Sequence, residues 1–428
     1  MKNVKFMKRN YSINYVLSNN LCTGCGICQD ICPQEAIRFY EYKGKVLPLI
    51  NESICYNDKG CSRCYQVCPG IGIDLRKRAR ELFKKKKKFD YYIGYYINCY
   101  SGYSNDFNIR YHSASAGVIS HFLIYLLDKG LINGAIVTRF KKDNPTKPET
   151  IIARTKEEIL SACGSKYCPV SMNGIVKLIK KLKGKYIIVG LPCHIHGFRK
   201  YEELDSKFKN KILGYFSTYC SATRTFYGTD YLFYYYKIKK DNLRYFAYRD
   251  DGCLGFLKAI TKDKIIKIQF REYYNKMRSF FKPKRCLLCI DHYGDLADIS
   301  FGDLQIGRYK KEGIEINSII SRNYYFDELL NQAKDEGYIS INQIDKNLIN
   351  LSQKKMLKHK RLIAGLNLFI EKQFSNRIPE YDIKLPNNFN FINFIICLTI
   401  RIQGRIGKLK PLFFIITILN KLLERLPI

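Results

Sequence analysis

The sequence predicts an α+β cysteine-rich domain, a larger α/β domain and a C-terminal helical tail. Three observations predict it. Cysteines are dense in a short, turn-rich stretch before residue 70; strand-like and helix-like apolar patterns alternate from Tyr91 onward; and from Asn387 two apolar runs are divided by basic residues. The expected divisions are 1–80, a basic linker at 81–90 carrying the lysine run Lys84–Lys88, a large domain at 91–345 and a tail at 346–428. A chain of 428 residues with 46% hydrophobic side chains can bury a sizeable core, which excludes a disordered, collagen-like or small disulfide-stapled protein.

In the first element, Cys22-Thr-Gly-Cys25-Gly-Ile-Cys28-Gln-Asp-Ile-Cys32-Pro33 spells C-x2-C-x2-C-x3-C-P, the ligand run of bacterial ferredoxins. Turn backbone lets three close thiolates converge on one cubane, and Gly24 and Gly26 keep that turn free of side-chain bulk. A second run, Cys55 with Cys61-Ser-Arg-Cys64-Tyr-Gln-Val-Cys68-Pro69, repeats the ending but stretches the first spacing. In two-cluster ferredoxins the fourth cysteine of each run crosses to the other cluster. Cys22, Cys25, Cys28 and Cys68 are therefore expected to hold one [4Fe-4S] cluster, and Cys55, Cys61, Cys64 and Cys32 the other. The element reads as an α+β ferredoxin-like two-cluster domain; four plus four cysteines each closed by Cys-Pro is not a zinc-ribbon spacing.

Beyond the linker, Tyr91–Tyr96 reads as a strand, Ala116–Asp128 as a helix and Gly134–Phe140 as a buried strand. Val170–Leu182 follows as a helix, Tyr186–Val189 as a strand and His194–Leu204 as a helix. Ile212–Tyr219, Leu243–Tyr248, Ile265–Phe270 and Ile299–Phe301 add strands, and Tyr325–Glu336 a helix. Cys193 and Cys220 each follow a strand, at the carboxyl edge where α/β sheets place ligands. Cys286-Leu-Leu-Cys289 reads equally as a redox pair, half a metal site or coincidence; with Cys193 and Cys220 it would supply four ligands for a third cluster. Cys99, Cys163, Cys168, Cys253 and Cys397 read as structural thiols.

In the tail, Phe389–Thr399 and Leu412–Leu419 are each too short to span a bilayer and are separated by Arg401, Arg405, Lys408 and Lys410. A helical hairpin covering the large domain and a basic amphipathic segment lying on an anionic membrane both satisfy this pattern. The net charge of +35 has two readings of its own: a codon-driven excess of Lys, or attraction to an anionic partner. Three clusters of roughly −2 each would lower it to about +29. No nucleic-acid module is visible, so a nucleic-acid partner is not expected. Clustered cysteines point to a reducing, cytoplasmic setting, with peripheral contact at the inner membrane face through the tail.

The order of motifs resembles a known family. The ferredoxin pair is followed by Ser113-Ala114-Ser115-Ala116-Gly117, Gly164-Ser165-Lys166-Tyr167, Gly190-Leu-Pro-Cys193, Cys220, Arg249-Asp-Asp-Gly252, Cys286-x-x-Cys289 and Ala297-Asp-Ile-Ser-Phe-Gly-Asp303. This is similar to the beta subunit of coenzyme F-420 hydrogenase/dehydrogenase over roughly residues 20 to 340; relatives include proteins associated with surface-polysaccharide synthesis. The resemblance implies a larger α/β flavin-binding domain with FAD at the Ser113–Gly117 and Gly164–Tyr167 loops. There, helix-start amides and Lys166 would favour a pyrophosphate. It also implies a third cubane on Cys193, Cys220, Cys286 and Cys289. Two departures stand out: Ala116 where relatives carry Gly, and His194 where they carry Gln.

The expected function is that of an iron–sulfur flavoprotein oxidoreductase. It would move electrons between a redox partner protein or low-potential donor, the clusters, FAD, and coenzyme F-420 or another organic acceptor. A module that only feeds electrons to a partner enzyme is the competing reading. No side chain stands out as a catalytic acid or base.

Overall fold

The computed structural model describes residues 11–83, 88–252, 254–306, 316–386 and 389–424. Most of the lysine run and Cys253 lie outside the described residues.

The first cysteine run bends into a single helical turn, α1 (Ile27–Asp30), which separates Cys32 from the close trio. A hairpin of β1 (Ile37–Tyr42) and β2 (Lys45–Ile50) follows. Its two-residue turn has Lys43 and Gly44 both at positive φ, as a turn matched to strand twist requires. The second run repeats the design, with α2 (Arg63–Gln66) placing Cys68. Leu75, Ala79 and Phe83 then form the buried stripe of α3 (Leu75–Phe83).

The large domain is built on strands β3 (Asn98–Ser104), β4 (Gly134–Phe140), β5 (Pro148–Ala153), β6 (Tyr186–Gly190) and β7 (Ile212–Thr218). A separate antiparallel sheet holds β8 (Leu243–Asp250), β9 (Phe256–Thr261) and β10 (Ile265–Gln269). The chain returns through β11 (Ile299–Asp303), β12 (Asn317–Ser321) and β13 (Ile339–Gln343). The eight main strands lie in the order β13-β3-β12-β11-β7-β6-β4-β5. The central β4, β6, β7 and β11 are parallel, so their carboxyl ends share one edge; the outer strands pair antiparallel.

The helices are α4 (Val118–Asp128), α5 (Ile175–Lys181), α6 (Pro192–Leu204), α7 (Lys284–Leu287) and α8 (Tyr324–Asp335). On one sheet face α4 and α8 bury Phe122, Phe326 and Leu330 against Phe216 and Ile319. On the other, α5, α6 and the ferredoxin-like domain share one core, in which Ile27, Val67 and Leu75 meet Ile188, Ile195 and Tyr215. The cysteine-rich domain is thus a second layer on the sheet.

Several elements differ from the sequence pattern. Strand pairing in Tyr91–Tyr96 is confined to Gly94–Tyr96, against Lys88–Asp90. The helix expected from Val170 begins at Ile175, because Gly174 takes a left-handed conformation and ends the irregular chain before it. Residues 346–386 are woven into the body. Glu380–Tyr381 pairs in parallel with Gly72–Ile73, and the Asp382 carboxylate accepts from the amides of Arg76 (2.9 Å) and Lys77 (2.7 Å). A π-helical turn, His359–Ile363, inserts Lys360 and Arg361 into the interior. It leads to α9 (Ala364–Gln373), α10 (Phe391–Ile406) and α11 (Phe413–Glu424).

Candidate redox site

The structure brings the twelve cysteines close together: Cys22, Cys25, Cys28 and Cys68 neighbour one another, as do Cys32, Cys55, Cys61 and Cys64, and Cys193, Cys220, Cys286 and Cys289. Around Cys22, Cys25, Cys28 and Cys68 the backbone is aimed at sulfur: Gly24 N–H donates to Cys22 Sγ (3.4 Å) and Gly70 N–H to Cys68 Sγ (3.3 Å). Gly26 is required twice over, for its φ of +89° and because a Cβ there would meet Asn173 N at 2.3 Å. Burial pushes all four thiols up, Cys68 to about 11, and repulsion between neighbouring sulfurs adds to the shifts of Cys22, Cys28 and Cys68. Four neighbouring thiols, three of them buried and Cys22 partly so, suit a cation that holds them as thiolates. Cys32, Cys55, Cys61 and Cys64 line one cavity walled by Pro33, Ile37 and Ile50.

Cys193, on the first turn of α6 after β6, faces Cys220, which follows β7, and Cys286 and Cys289, which flank the end of α7. Burial, then mutual repulsion, pushes Cys193 up, and burial takes Cys220 to about 12. Lys360, buried to 4% exposure, hydrogen-bonds Cys289 and sits beside Cys220 and Cys286.

The three sets are neighbours in series. Cys28 feels the charge of Cys64, and Cys193 that of Cys25. Met172 N–H donates to Cys25 O (2.9 Å), tying the large domain to the first set. Lys200 donates to the carbonyls of Cys68 (3.0 Å) and Gly72 (2.6 Å).

Past the third set, Thr223 donates to Cys168 O (3.0 Å) and Arg224 to the Tyr274 hydroxyl (3.1 Å), whose ring contacts Tyr167. This joins Cys220 to the Gly164–Tyr167 loop. That loop meets the Ser113–Gly117 loop at Ser113 Oγ and Cys163 Sγ (3.6 Å). Ser115 is held by Asn317, which donates to its carbonyl (3.0 Å) and hydroxyl (2.9 Å). Asn317 Oδ1 is buried without a partner. Ala116 and Gly117 both take positive φ, 55° and 74°, and α4 starts with no side-chain cap. Gly164 faces Arg249 O, where a Cβ would close to 3.0 Å, and Arg249 pairs with Asp303 (3.0 Å). Ser165 hydrogen-bonds Tyr167. Ala114 is half-buried in its loop.

Two residues singled out by the sequence do other work here. Lys166 Nζ donates to the carbonyls of Ala162, Cys163 and Gly164 at 2.6 to 2.9 Å, so its charge holds its own loop and is not directed at a phosphate. Burial lowers it to about 8. His194 bridges Leu191 N and Val170 O and is lowered to about 4 by burial, which makes it a neutral packing residue. His112, Asp250 and Asp251 converge as well, but Lys258 and Lys267 neutralise the two carboxylates. Sequence reasoning missed Lys360, Arg285, Lys200 and Asn317, none of which lies in a spacing pattern.

Family comparisons agree with this layout. The model of a 4Fe-4S dicluster domain matches residues 21–100, and those of the coenzyme F420 hydrogenase/dehydrogenase beta subunit match 99–177 for its N-terminal and 183–347 for its C-terminal part. The chain belongs to the coenzyme F420 hydrogenase/dehydrogenase beta subunit family. It is therefore an iron–sulfur oxidoreductase by family. A coenzyme F420-dependent sulfite reductase of Methanocaldococcus jannaschii is 26% identical over 82% of this chain, which spans only 51% of that protein's length. A coenzyme F420 hydrogenase subunit beta of Methanothermobacter thermautotrophicus is 26% identical over 67% of this chain and 99% of its own. A chain from the F420-reducing [NiFe] hydrogenase complex of Methanosarcina barkeri shares the fold, with a TM-score of 0.53, 18% identity, and coverage of 71% of this chain and all of its own.

Proposed function

We propose that this chain is an electron-transfer oxidoreductase with three [4Fe-4S] clusters and one FAD. It would exchange electrons with a redox partner protein and a hydride with coenzyme F420 or another organic acceptor. The observation that carries the reading is the unbroken succession of three tetracysteine sets, each beside the next, ending at the Ser113–Gly117 and Gly164–Tyr167 loops. The donor sets suit iron: twelve thiols, grouped in fours, with backbone amides donating to sulfur. The loops suit a dinucleotide, because an uncapped helix start and a buried acceptor at Asn317 Oδ1 lie together on the Ser113–Gly117 loop, beside the tight backbone approach at Gly164.

When bound, the clusters supply one-electron steps and the flavin couples them to a two-electron hydride. The chain's own residues set where this occurs. Cys193 and Cys220, placed by parallel strands, would fix the third cluster at the sheet's carboxyl edge. Lys360 would place a buried positive charge against its thiolates. Asn317 and the Arg249–Asp303 pair would shape the flavin loops. The named complexes of the relatives point to a protein partner as electron source or sink. The test is to reduce the full chain without oxygen and add F420, nicotinamide nucleotides or free flavins in turn. Reoxidation of the iron–sulfur absorbance matched by acceptor reduction is expected with one of them; clusters reoxidised by no two-electron acceptor would overturn the reading.

A further inference from the structure

The last two helices are apolar on the face turned to solvent as well as on the face turned to the body. In α10 the buried positions Asn393, Cys397 and Ile400 face the body, while Phe391, Ile392, Phe394, Ile395, Leu398 and Ile402 face out, Phe391 at 77% exposure and Ile392 at 65%. In α11 the buried Asn420 ties the helix to the body, donating to Lys276 O (2.8 Å) and accepting from Arg278 Nε (3.0 Å). Phe414, Ile418 and Leu422, at i, i+4 and i+8, form its outward stripe. The polar anchors continue inward: Cys397 donates to Asn367, Gln403 accepts from Ser279 N–H, and Arg401 pairs with Glu371. Both helices are held to the protein by these polar bonds and by the burial of Ile400, Phe413 and Ile416, with Phe413 packed on the Tyr231 and Phe281 rings, and they leave a second apolar surface outside. The patch extends through the Phe369–Phe389 ring contact onto α9.

An exposed apolar face this concentrated marks a binding surface. Its charge pattern selects the occupant. From 389 to 423 the sequence holds no acidic residue, and Arg405, Lys408 and Lys421 are exposed beside the apolar stripes. Protein interfaces carry polar groups that hydrogen-bond across the contact; the outward face of α10 from Phe391 to Leu398 offers no charged group. No helix is long and apolar enough to cross a membrane among the described residues. The region also lies outside the matched family models, which end at residue 347.

We infer that α10 and α11 lie on an anionic lipid surface, with their apolar stripes in the acyl boundary and the basic residues against the headgroups. This inference is independent of the cofactor reading. The experiment is flotation of the full chain with vesicles of phosphatidylcholine alone or with phosphatidylglycerol, at low and high salt. Phe391→Ser with Ile395→Ser tests the stripe, and Lys408→Glu with Lys421→Glu the charge. All four positions are exposed, and far-UV circular dichroism and iron content serve as controls on folding. Binding to the anionic vesicles is expected, lowered by salt and by about tenfold or more in each double variant. Equal binding to neutral vesicles at all salts, or equal recovery of both variants, would overturn it. So would a concentration-dependent dimer in sedimentation that the stripe variant abolishes, without vesicle binding by the parent chain.

Discussion

Arg285 donates from Nε to the carbonyl oxygen of Gly70 at 2.9 Å, and from Nη2 to that of Pro69 at 2.8 Å. One partner precedes Cys286 of the third set; the other follows Cys68 of the first. The guanidinium is buried, and the Tyr381 ring lies 5.7 Å away. A single side chain therefore bridges two of the tetracysteine sets, one in each domain.

Arg285→Met should lower the unfolding free energy by about 3 kcal/mol, since it leaves two buried carbonyls without their charged donor. Urea denaturation of the anaerobic protein checks this. A loss within about 0.5 kcal/mol would mean that the two layers are joined mainly by their shared apolar core.

Cys289→Ser should remove one cluster and leave two, so iron falls from about twelve to about eight atoms per chain. Electron paramagnetic resonance of the reduced variant should retain the two ferredoxin signals. Their disappearance from a folded variant would show that the ligand sets are partitioned differently.

Lys360→Gln should lower the midpoint potential of the third cluster, because a positive charge bonded to a ligand sulfur stabilises the reduced, more negative state. A shift of about 60 mV corresponds to a tenfold change in a one-electron equilibrium. Potentiometric titration followed by electron paramagnetic resonance measures it, with the other two clusters as internal references.

Ala116→Gly should stabilise the chain by up to about 1 kcal/mol. An alanine with φ of 55° carries a left-handed penalty that glycine avoids, offset in part by glycine's greater freedom when unfolded. The loop keeps its turn in spite of the alanine, so the same variant should bind flavin at least as well as the parent, as fluorescence on release would show.

His121 links stability to pH. Its Nδ1 lies 2.8 Å from Ser104 Oγ, and burial holds its pKa below the ordinary 6.5. Below that value the unfolded chain takes up a proton that the native state resists. The stability it contributes is therefore complete above 6.5 and lost as pH falls through the lower native value. His121→Gln should flatten the dependence between pH 7 and 5 by at most about 1.4 kcal/mol per pH unit.

The cysteine chemistry was legible because the ferredoxin spacing is a local pattern with one geometric purpose. Strands β4 and β6 were legible because Ala135-Ile-Val and Tyr186-Ile-Ile-Val are continuous apolar runs. Strand β3, Asn-Cys-Tyr-Ser-Gly-Tyr-Ser, was not: small polar residues fill a buried strand whose hydrogen bonds go to β12 and β13. Lys360, Arg285 and Asn317 were equally hidden. Each acts on a partner more than seventy residues away, and only the fold brings them together.

Iron and flavin content of the full chain, purified without oxygen, is the most direct test of a three-cluster path to a flavin. Visible absorbance, total iron and flavin released on denaturation are measured on one sample. About twelve iron atoms and about one flavin per chain are predicted. About eight iron atoms with no flavin would contradict it, reducing the chain to a two-cluster electron carrier.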